Sequence, residues 1–304
     1  MKYFIIIGIL LFASISARAD KLQVVTTTQD LADMVAVVGG EKVSVTSLTN
    51  GDQDPHHIEP RPSMVMKVKK ADLLVRIGMD LDVWVQSLID VSRNARVAVG
   101  GQGYLDASTA VERLEVPSGK VDQSMGDIHI YGNPHYWLDP ENGKKMVASI
   151  AERLISLNPA NSAYFRKNRE RYIQSLDSAM AAWRPKLEAL AGCKVVTYHN
   201  SWPYFAARFK LNVVGFIEPK PGIPPGPAHL ASLNAKLRNE QVPVIIMEPF
   251  YNRRTAEKVV EGTNTAIVIL APSAGGLHGV DTYFKMLEYN VDALYKAVTR
   301  QENR

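Results

Sequence analysis

Short apolar runs alternate with segments of helical periodicity along most of the chain, and each pair predicts a strand followed by a helix. The runs that predict strands are Leu22–Thr28, Val43–Leu48, Leu73–Ile77, Arg96–Val99, Lys194–Tyr198, Asn212–Ile217, Val242–Met247 and Ala266–Leu270. The helical segments are Asp30–Val38, Pro62–Lys70, Leu81–Val91, Glu141–Leu154, Pro203–Lys210, Ala228–Gln241, Arg253–Gly262 and Thr282–Arg300. This alternation is typical of an α/β fold in which mostly parallel sheets are flanked by helices.

A long helical segment from Pro159 to about Leu190 divides this alternation into two similar halves. Asn158 can cap the segment, and Pro159 suits the first helical position. One side of it carries large residues every three or four positions: Tyr164, Asn168, Tyr172, Leu176, Met180, Trp183 and Leu187. At 1.5 Å per residue the segment would be roughly 45 Å long, with Pro185 kinking its last turns.

We interpret this segment as a single long rigid helix that joins two lobes. The predicted domains are an N-terminal lobe over 20–155, a spine over 156–192 and a C-terminal lobe over 193–304. A length of 304 residues suits two such domains. The alternative is an ordinary long surface helix of one domain.

The first nineteen residues have the pattern of a cleavable signal peptide. Lys2 precedes the apolar run Tyr3–Ala13, and Ala17-Arg18-Ala19 matches a cleavage site, so the mature chain should begin at Asp20. An uncleaved anchor is the alternative. The only cysteine, Cys193, is far from this site, which leaves no residue there for lipid attachment. We therefore expect a periplasmic protein that is not lipid-anchored.

The charge balance argues against binding to nucleic acid. Two of the 35 basic residues lie in the signal segment, so 33 remain against 31 acidic residues. No basic tract marks a nucleic-acid or membrane surface.

Three of the seven histidines occupy the positions where open α/β sheets bind their ligands. His56 and His135 lie in loops of the first half, and His199 ends a strand of the second half. Neutral imidazole is a common ligand of transition metals, and three around one point would form a zinc-type site. No two of them have the spacing of a local zinc motif, so each could equally be a hydrogen-bonded structural histidine.

The sequences around these histidines resemble those of one known protein family. The stretches are Asp54-Pro55-His56-His57-Ile58-Glu59-Pro60, Asn133-Pro134-His135-Tyr136-Trp137-Leu138-Asp139-Pro140 and Tyr198-His199-Asn200-Ser201-Trp202-Pro203-Tyr204-Phe205. In this order they resemble the metal-binding proteins of bacterial zinc and manganese ABC importers, the TroA/ZnuA-like group of cluster A-I. The likeness extends to the spine helix, Glu218–Pro225 and Glu248-Pro249.

The resemblance implies two lobes joined by one helix, with a metal in the cleft held by His56, His135 and His199. It also implies that the partners are a membrane permease and its cytoplasmic ATPase, and we expect a monomer. Many relatives add an aspartate after the last strand, but Leu270-Ala271-Pro272-Ser273 stands there in this chain. The fourth ligand could be Glu248, Asp281 or water, and the sequence leaves that choice open.

The other histidines have less specific surroundings. His57 follows His56, and the family motif favours His56 as the ligand. Gly101–Gly132, part of a predicted long irregular loop, contains only His129, where many zinc-specific relatives have a histidine-rich loop. We interpret His129 as a solvated loop residue, with transient metal capture as the alternative. His229 and His278 are interpreted as structural or solvated, and Asp139 as a helix cap.

We therefore predict a solute-binding protein that captures a divalent transition metal, zinc in the first place, and catalyses no reaction. Imidazole ligands suit zinc, whereas manganese prefers oxygen ligands. One alternative keeps the fold but binds manganese or iron. The other is a secreted zinc hydrolase with a three-histidine open site, for which Glu248 is the only candidate general base.

Overall fold

The computed structural model of the protein describes residues 21–119, 121, 125–126 and 128–302. The predicted signal peptide over 1–19 lies outside the described residues. Within them, two sheets of four parallel strands each are flanked by helices. The predicted fold class is therefore confirmed.

The first sheet has the strand order β2-β1-β3-β4. Its strands are β1 (Leu22–Thr26), β2 (Val43–Ser47), β3 (Leu73–Arg76) and β4 (Tyr104–Asp106). The helices of this half are α1 (Gln29–Gly39), α2 (Pro62–Lys69), α3 (Val85–Ser92) and α4 (Pro140–Leu157). In the parallel register Val24 of β1 is opposite both Val45 and Leu73.

The second sheet repeats that order as β6-β5-β7-β8. Its strands are β5 (Lys194–Thr197), β6 (Asn212–Phe216), β7 (Val244–Met247) and β8 (Ala266–Ile269). Its helices are α6 (Pro203–Phe209), α7 (Pro227–Asn239), α8 (Arg253–Val260) and α9 (Tyr283–Glu302). Because all strands within a sheet are parallel, their carboxyl ends meet at one edge, where the loops carry the candidate residues.

The long helix α5 (Ser162–Leu190) has 29 residues and follows a single 3₁₀ turn at Pro159–Asn161. Its length is about 43 Å, and it contacts α1 and α4 of the first half and α9 of the second. The helix continues past Pro185. The predicted stripe is buried at Asn168, Tyr172, Leu176 and Trp183.

Neighbouring residues of each central strand face two different cores, as the two-residue period of a strand requires. Val24 of β1 and Val195 of β5 belong to one large apolar cluster that also contains Phe165 of α5. Val25 and Val196 face smaller clusters, one in each half. The two sheets and α5 therefore share a continuous core.

The prediction of a strand at Arg96–Val99 is wrong. Residues Ala95–Val97 form a 3₁₀ turn, and the fourth strand is β4, inside the segment predicted to be irregular. The Asn94 side chain accepts a hydrogen bond from the Arg96 N–H and donates to carbonyls at Val68 and Ala71. This local cap outcompetes the strand pattern of the apolar residues.

Candidate metal site

His56 is held by a turn built into its own loop. The Asp54 carboxylate oxygen Oδ1 accepts hydrogen bonds from the His56 backbone N–H at 3.0 Å and from its Nδ1 at 2.7 Å. Because an ionised carboxylate can only accept, the hydrogen-bond network assigns the proton to Nδ1 and leaves a lone pair on Nε2. That Nε2 is buried and has no hydrogen-bond partner among the described residues.

His135 is held by the same device with an amide in place of the carboxylate. The Asn133 Oδ1 accepts from the His135 N–H at 3.1 Å and from its Nδ1 at 3.0 Å. The Asn133 amide nitrogen donates across to the Asn200 carbonyl at 2.8 Å, which fixes the orientation of the amide. Each turn therefore has an Asp or Asn, a proline and then the histidine, a sequence that favours such turns.

His199 lies just after β5 and is oriented by a residue distant in sequence. Its Nδ1 is 2.7 Å from Oε2 of Glu218, which follows β6. Burial tends to lower the pKa of His199, but the hydrogen bond that it donates to Glu218 and the charge of Glu248 outweigh this effect, so the pKa is raised. By contrast, burial lowers the pKa of His135 well below its usual value, and the neighbouring histidines add to that shift.

The fold brings these three predicted histidines together at one point. One ring nitrogen from each lies within 4.8 Å of the others. The ring centroids are 5.1 Å apart for His56 and His135, 5.4 Å for His56 and His199, and 5.6 Å for His135 and His199. A tetrahedral ion with bonds of 2.0–2.1 Å needs ligand atoms about 3.4 Å apart, so modest closure of the rings would accommodate one.

Neither of the two carboxylates considered for the fourth position is part of the three-histidine cluster within the described ranges. Glu248 follows β7 and is 1% exposed; its Oε1 accepts from Trp202 Nε1 at 2.9 Å. Burial raises the pKa of Glu248 to about 7, although hydrogen bonds from Ser201 and Trp202 oppose the shift. Asp281 is exposed and its carboxylate is 3.3 Å from Lys285 Nζ.

The loop after β8 is tied to the first half of the molecule. The Ser273 hydroxyl donates to the buried Asp30 carboxylate of α1, and the Ala274 N–H donates to the same side chain at 2.9 Å. Trp137 Nε1 donates to the Pro272 carbonyl at 2.8 Å. These bonds fix the segment in which many relatives are expected to carry an aspartate.

His129 is not the solvated residue that we expected. Its ring centroid lies 5.2 Å from that of His56, and its Nε2 is buried with no hydrogen-bond partner in the described part of the chain. Burial lowers the pKa of His129 to about 3, with His56 and His199 adding to the shift. The sequence gives no periodicity there, so only the tertiary structure reveals this proximity.

The remaining candidates have other roles or positions. Asp139 caps α4 by accepting from the Glu141 N–H at 2.9 Å, as predicted, and it also pairs with Arg208. His229 Nε2 is 3.0 Å from the Phe216 carbonyl. His57 and His278 are exposed. A cavity of about 520 Å³ adjoins the three-histidine cluster and is lined by His129, His135 and His199 among others.

Comparison with known proteins places the chain in a family. Residues 24–297 match the sequence profile of the family described as ZnuA, zinc-uptake complex component A periplasmic. The manganese ABC transporter substrate-binding lipoprotein PsaA of Streptococcus pneumoniae is 27% identical over 308 residues, which cover 96% of each chain. Its counterpart scaA of Streptococcus gordonii is 28% identical over 298 residues, or 95% of this chain and 92% of that relative.

A solved structure of similar fold is a ZnuA deletion mutant with zinc bound. It has a TM-score of 0.77 and 22% sequence identity, and the similarity covers 92% of this chain and 98% of the other. At this level of identity the likeness supports the shared fold alone.

The expectation that the protein is not lipid-anchored is contradicted by these comparisons, because both streptococcal relatives are named lipoproteins. That expectation depended on the predicted cleavage site, in a segment outside the described residues. Among the residues that are described, no helix is both long enough and apolar enough to cross a bilayer.

Proposed function

The chain belongs to the family of periplasmic zinc-uptake complex component A proteins, the metal-binding proteins of ABC importers, and we propose that it captures zinc and delivers it to a membrane permease. His56, His135 and His199 are the proposed ligands. The observation that carries the proposal is their convergence from both halves of the molecule to within 4.8 Å. The ion is the cargo, and the protein performs no reaction on it.

The surroundings of the three rings support this role. In each of them Nδ1 has an oxygen partner, namely Asp54, Asn133 or Glu218. Partners of this kind orient a metal-binding imidazole and leave Nε2 for the ion. The buried, unpartnered Nε2 of His56 fits such an arrangement, because a buried polar atom without a partner is costly unless something binds it.

The donor set favours zinc over manganese. Neutral imidazoles suit zinc, whereas manganese is the weakest of the series for nitrogen ligands and prefers oxygen. The relatives named above include manganese proteins, so the identity of the ion in this chain is a proposal from ligand chemistry. A manganese- or iron-binding protein of the same fold is the competing assignment.

Delivery follows from the division of the ligands between the halves. His56 and His135 belong to the first half and His199 to the second, so separation of the halves would remove one ligand from the ion. We propose that docking to the permease, with its ATPase, triggers this release.

Calorimetric titration of the metal-free protein with zinc tests the proposal. His56→Ala, His135→Ala and His199→Ala should each weaken binding by about 10- to 100-fold or more, since each removes a ligand. His278→Ala is the matched control, because it removes an exposed histidine. Unchanged affinity in the three variants would refute the assignment.

A further inference from the structure

We infer that His129 is a fourth ligand, so that the bound ion is held by four imidazoles. This inference rests on the proposed function and names a ligand that the sequence left open among Glu248, Asp281 and water. It concerns a residue on the loop that precedes Asn133.

The distance of His129 from His56 is similar to the distances of the other two proposed ligands from His56. Its ring lies 5.2 Å from the His56 ring, between the values of 5.1 Å for His135 and 5.4 Å for His199. His129 also lines the same cavity as His135 and His199.

The nitrogen atoms of His56 and His129 share an unusual state. In both rings Nε2 is buried, and neither atom has a hydrogen-bond partner among the described residues. Two such nitrogen atoms on neighbouring rings are unfavourable in a protein interior unless a cation or a hydrogen-bond donor such as water binds them. The other buried side-chain atoms without a partner among the described residues lie on Thr28, Tyr172 and Glu248. His56 and His129 are therefore the two of these residues that place metal-ligating groups on neighbouring rings.

The loop that carries His129 is held against the second half. Gly126 has φ +77°, and a Cβ there would come 2.1 Å from the Pro221 carbonyl oxygen, so only glycine permits this approach. Further along, the Gly132 N–H donates to the His129 carbonyl at 3.3 Å. These contacts place His129 in the wall of the 520 Å³ cavity beside His135 and His199.

Ligation requires a displacement of the His129 ring, because His129 lies outside the group whose nitrogens are all within 4.8 Å of one another. The neighbouring cavity offers room for it. The movement needed is of the same kind as the closure of the other three rings toward a tetrahedral ion. A fourth imidazole would add to the preference for zinc over manganese.

X-ray absorption spectroscopy of the protein loaded with one equivalent of zinc tests this inference. Scattering from the imidazole rings should fit four histidines in the unchanged protein and three with one oxygen in His129→Ala. His278→Ala should keep four, since that variant loses an exposed histidine. Calorimetry should show zinc bound about 10-fold more weakly by His129→Ala.

The outcomes separate this inference from the proposed function. Three imidazoles in the unchanged protein, with an identical spectrum and affinity in His129→Ala, would overturn the role of His129 while leaving the three-histidine site intact. If His199→Ala also left the spectrum and affinity unchanged, the proposed site itself would fail. Circular dichroism of each metal-free variant establishes that the fold is retained.

Discussion

The two halves of the molecule have the same sheet order but prepare their histidines in different ways. In the first half an Asp or Asn two residues earlier holds each ring, so the orientation of His56 and His135 is local to one loop. In the second half Glu218, nineteen residues after His199 and beyond the next strand, holds the ring. One half therefore builds its ligands from turns, and the other builds its ligand from the packing of a sheet.

The pKa shifts of the histidines also differ between the two halves. Burial and neighbouring histidines lower the pKa of His135, so that ring stays neutral and ready for a metal. Burial opposes a charge on His199 too, but the carboxylates of Glu218 and Glu248 raise its pKa. The first half therefore holds its imidazole ready for a metal ion, whereas protons compete with the metal ion for the ligand of the second half.

The largest expected effect concerns the preference for zinc over manganese, because the proposed ligand atoms in both halves are nitrogens. Protein loaded with zinc should retain it after incubation with a hundred-fold excess of manganese and desalting, because manganese binds imidazole weakly. Elemental analysis of the desalted protein measures the outcome. Substantial replacement by manganese would contradict the zinc assignment and would indicate that an oxygen ligand such as Glu248 completes the site.

The next prediction compares the partners that orient the rings. Glu218→Gln should weaken zinc binding by about 10-fold, within the range typical for such partners. Asp54→Asn should weaken zinc binding only a few-fold, because the amide of Asn133 accepts the same two hydrogen bonds in the corresponding turn of this chain. Calorimetry on both variants checks the order, and the reverse order would show that the two halves do not differ as described.

The sequence predicted the fold class well because strand and helix periods are local properties. Its failure at Arg96–Val99 has a local cause as well, since the Asn94 cap stabilises a 3₁₀ turn where apolar residues favoured a strand. The bounds of the helices were less certain. Helix α3 begins at Val85 and not at Leu81, because Asp82 instead accepts hydrogen bonds from the N–H groups of Ile77 and Gly78.

The site was less accessible to the sequence. His56, His135 and His199 are far apart in the chain, and only the family resemblance, not their spacing, selected them. Glu218 was missed as a site residue, and the burial of His129 beside His56 was not expected, because these approaches depend on β6 and on the loop contact with Pro221. One available signal was the repeated order of Asp or Asn, proline and histidine at Asp54–His56 and Asn133–His135.

A smaller effect is expected from pH. The raised pKa of His199 means that its protonated form is favoured in the metal-free fold, and Nε2 must lose that proton to bind zinc. Affinity should therefore fall as pH drops through this pKa, above the ordinary value of about 6.5, before His135 takes up a proton. In Glu218→Gln the fall should move to lower pH.

Titration against a chromophoric chelator between about pH 8 and pH 5.5 measures this dependence. His278→Ala serves as the control and should follow the unchanged protein. Equal affinity across the range would contradict a site that depends on His199.

The smallest effect concerns a polar contact that joins the halves. Arg208 of α6 donates to both carboxylate oxygens of Asp139, at 2.8 and 2.9 Å, while Asp139 also caps α4. Arg208→Ala should lower the free energy of unfolding by about 1 kcal/mol, near the upper end for partly exposed ion pairs. It should lower the Tm by about 2 °C. Arg253→Ala is the control, because it removes an exposed ion pair with Glu257 within α8. It should lower the free energy of unfolding by less.

Zinc affinity decides what the Arg208 variant means for the comparison of the halves. The shared apolar core, with Phe165 and Trp183 of α5, is continuous between the two sheets and does not involve this ion pair. If that core sets the distance between His135 and His199, Arg208→Ala should bind zinc as tightly as the unchanged protein. A ten-fold loss of affinity without a larger fall in Tm would instead make the ion pair the element that aligns the two halves at the site.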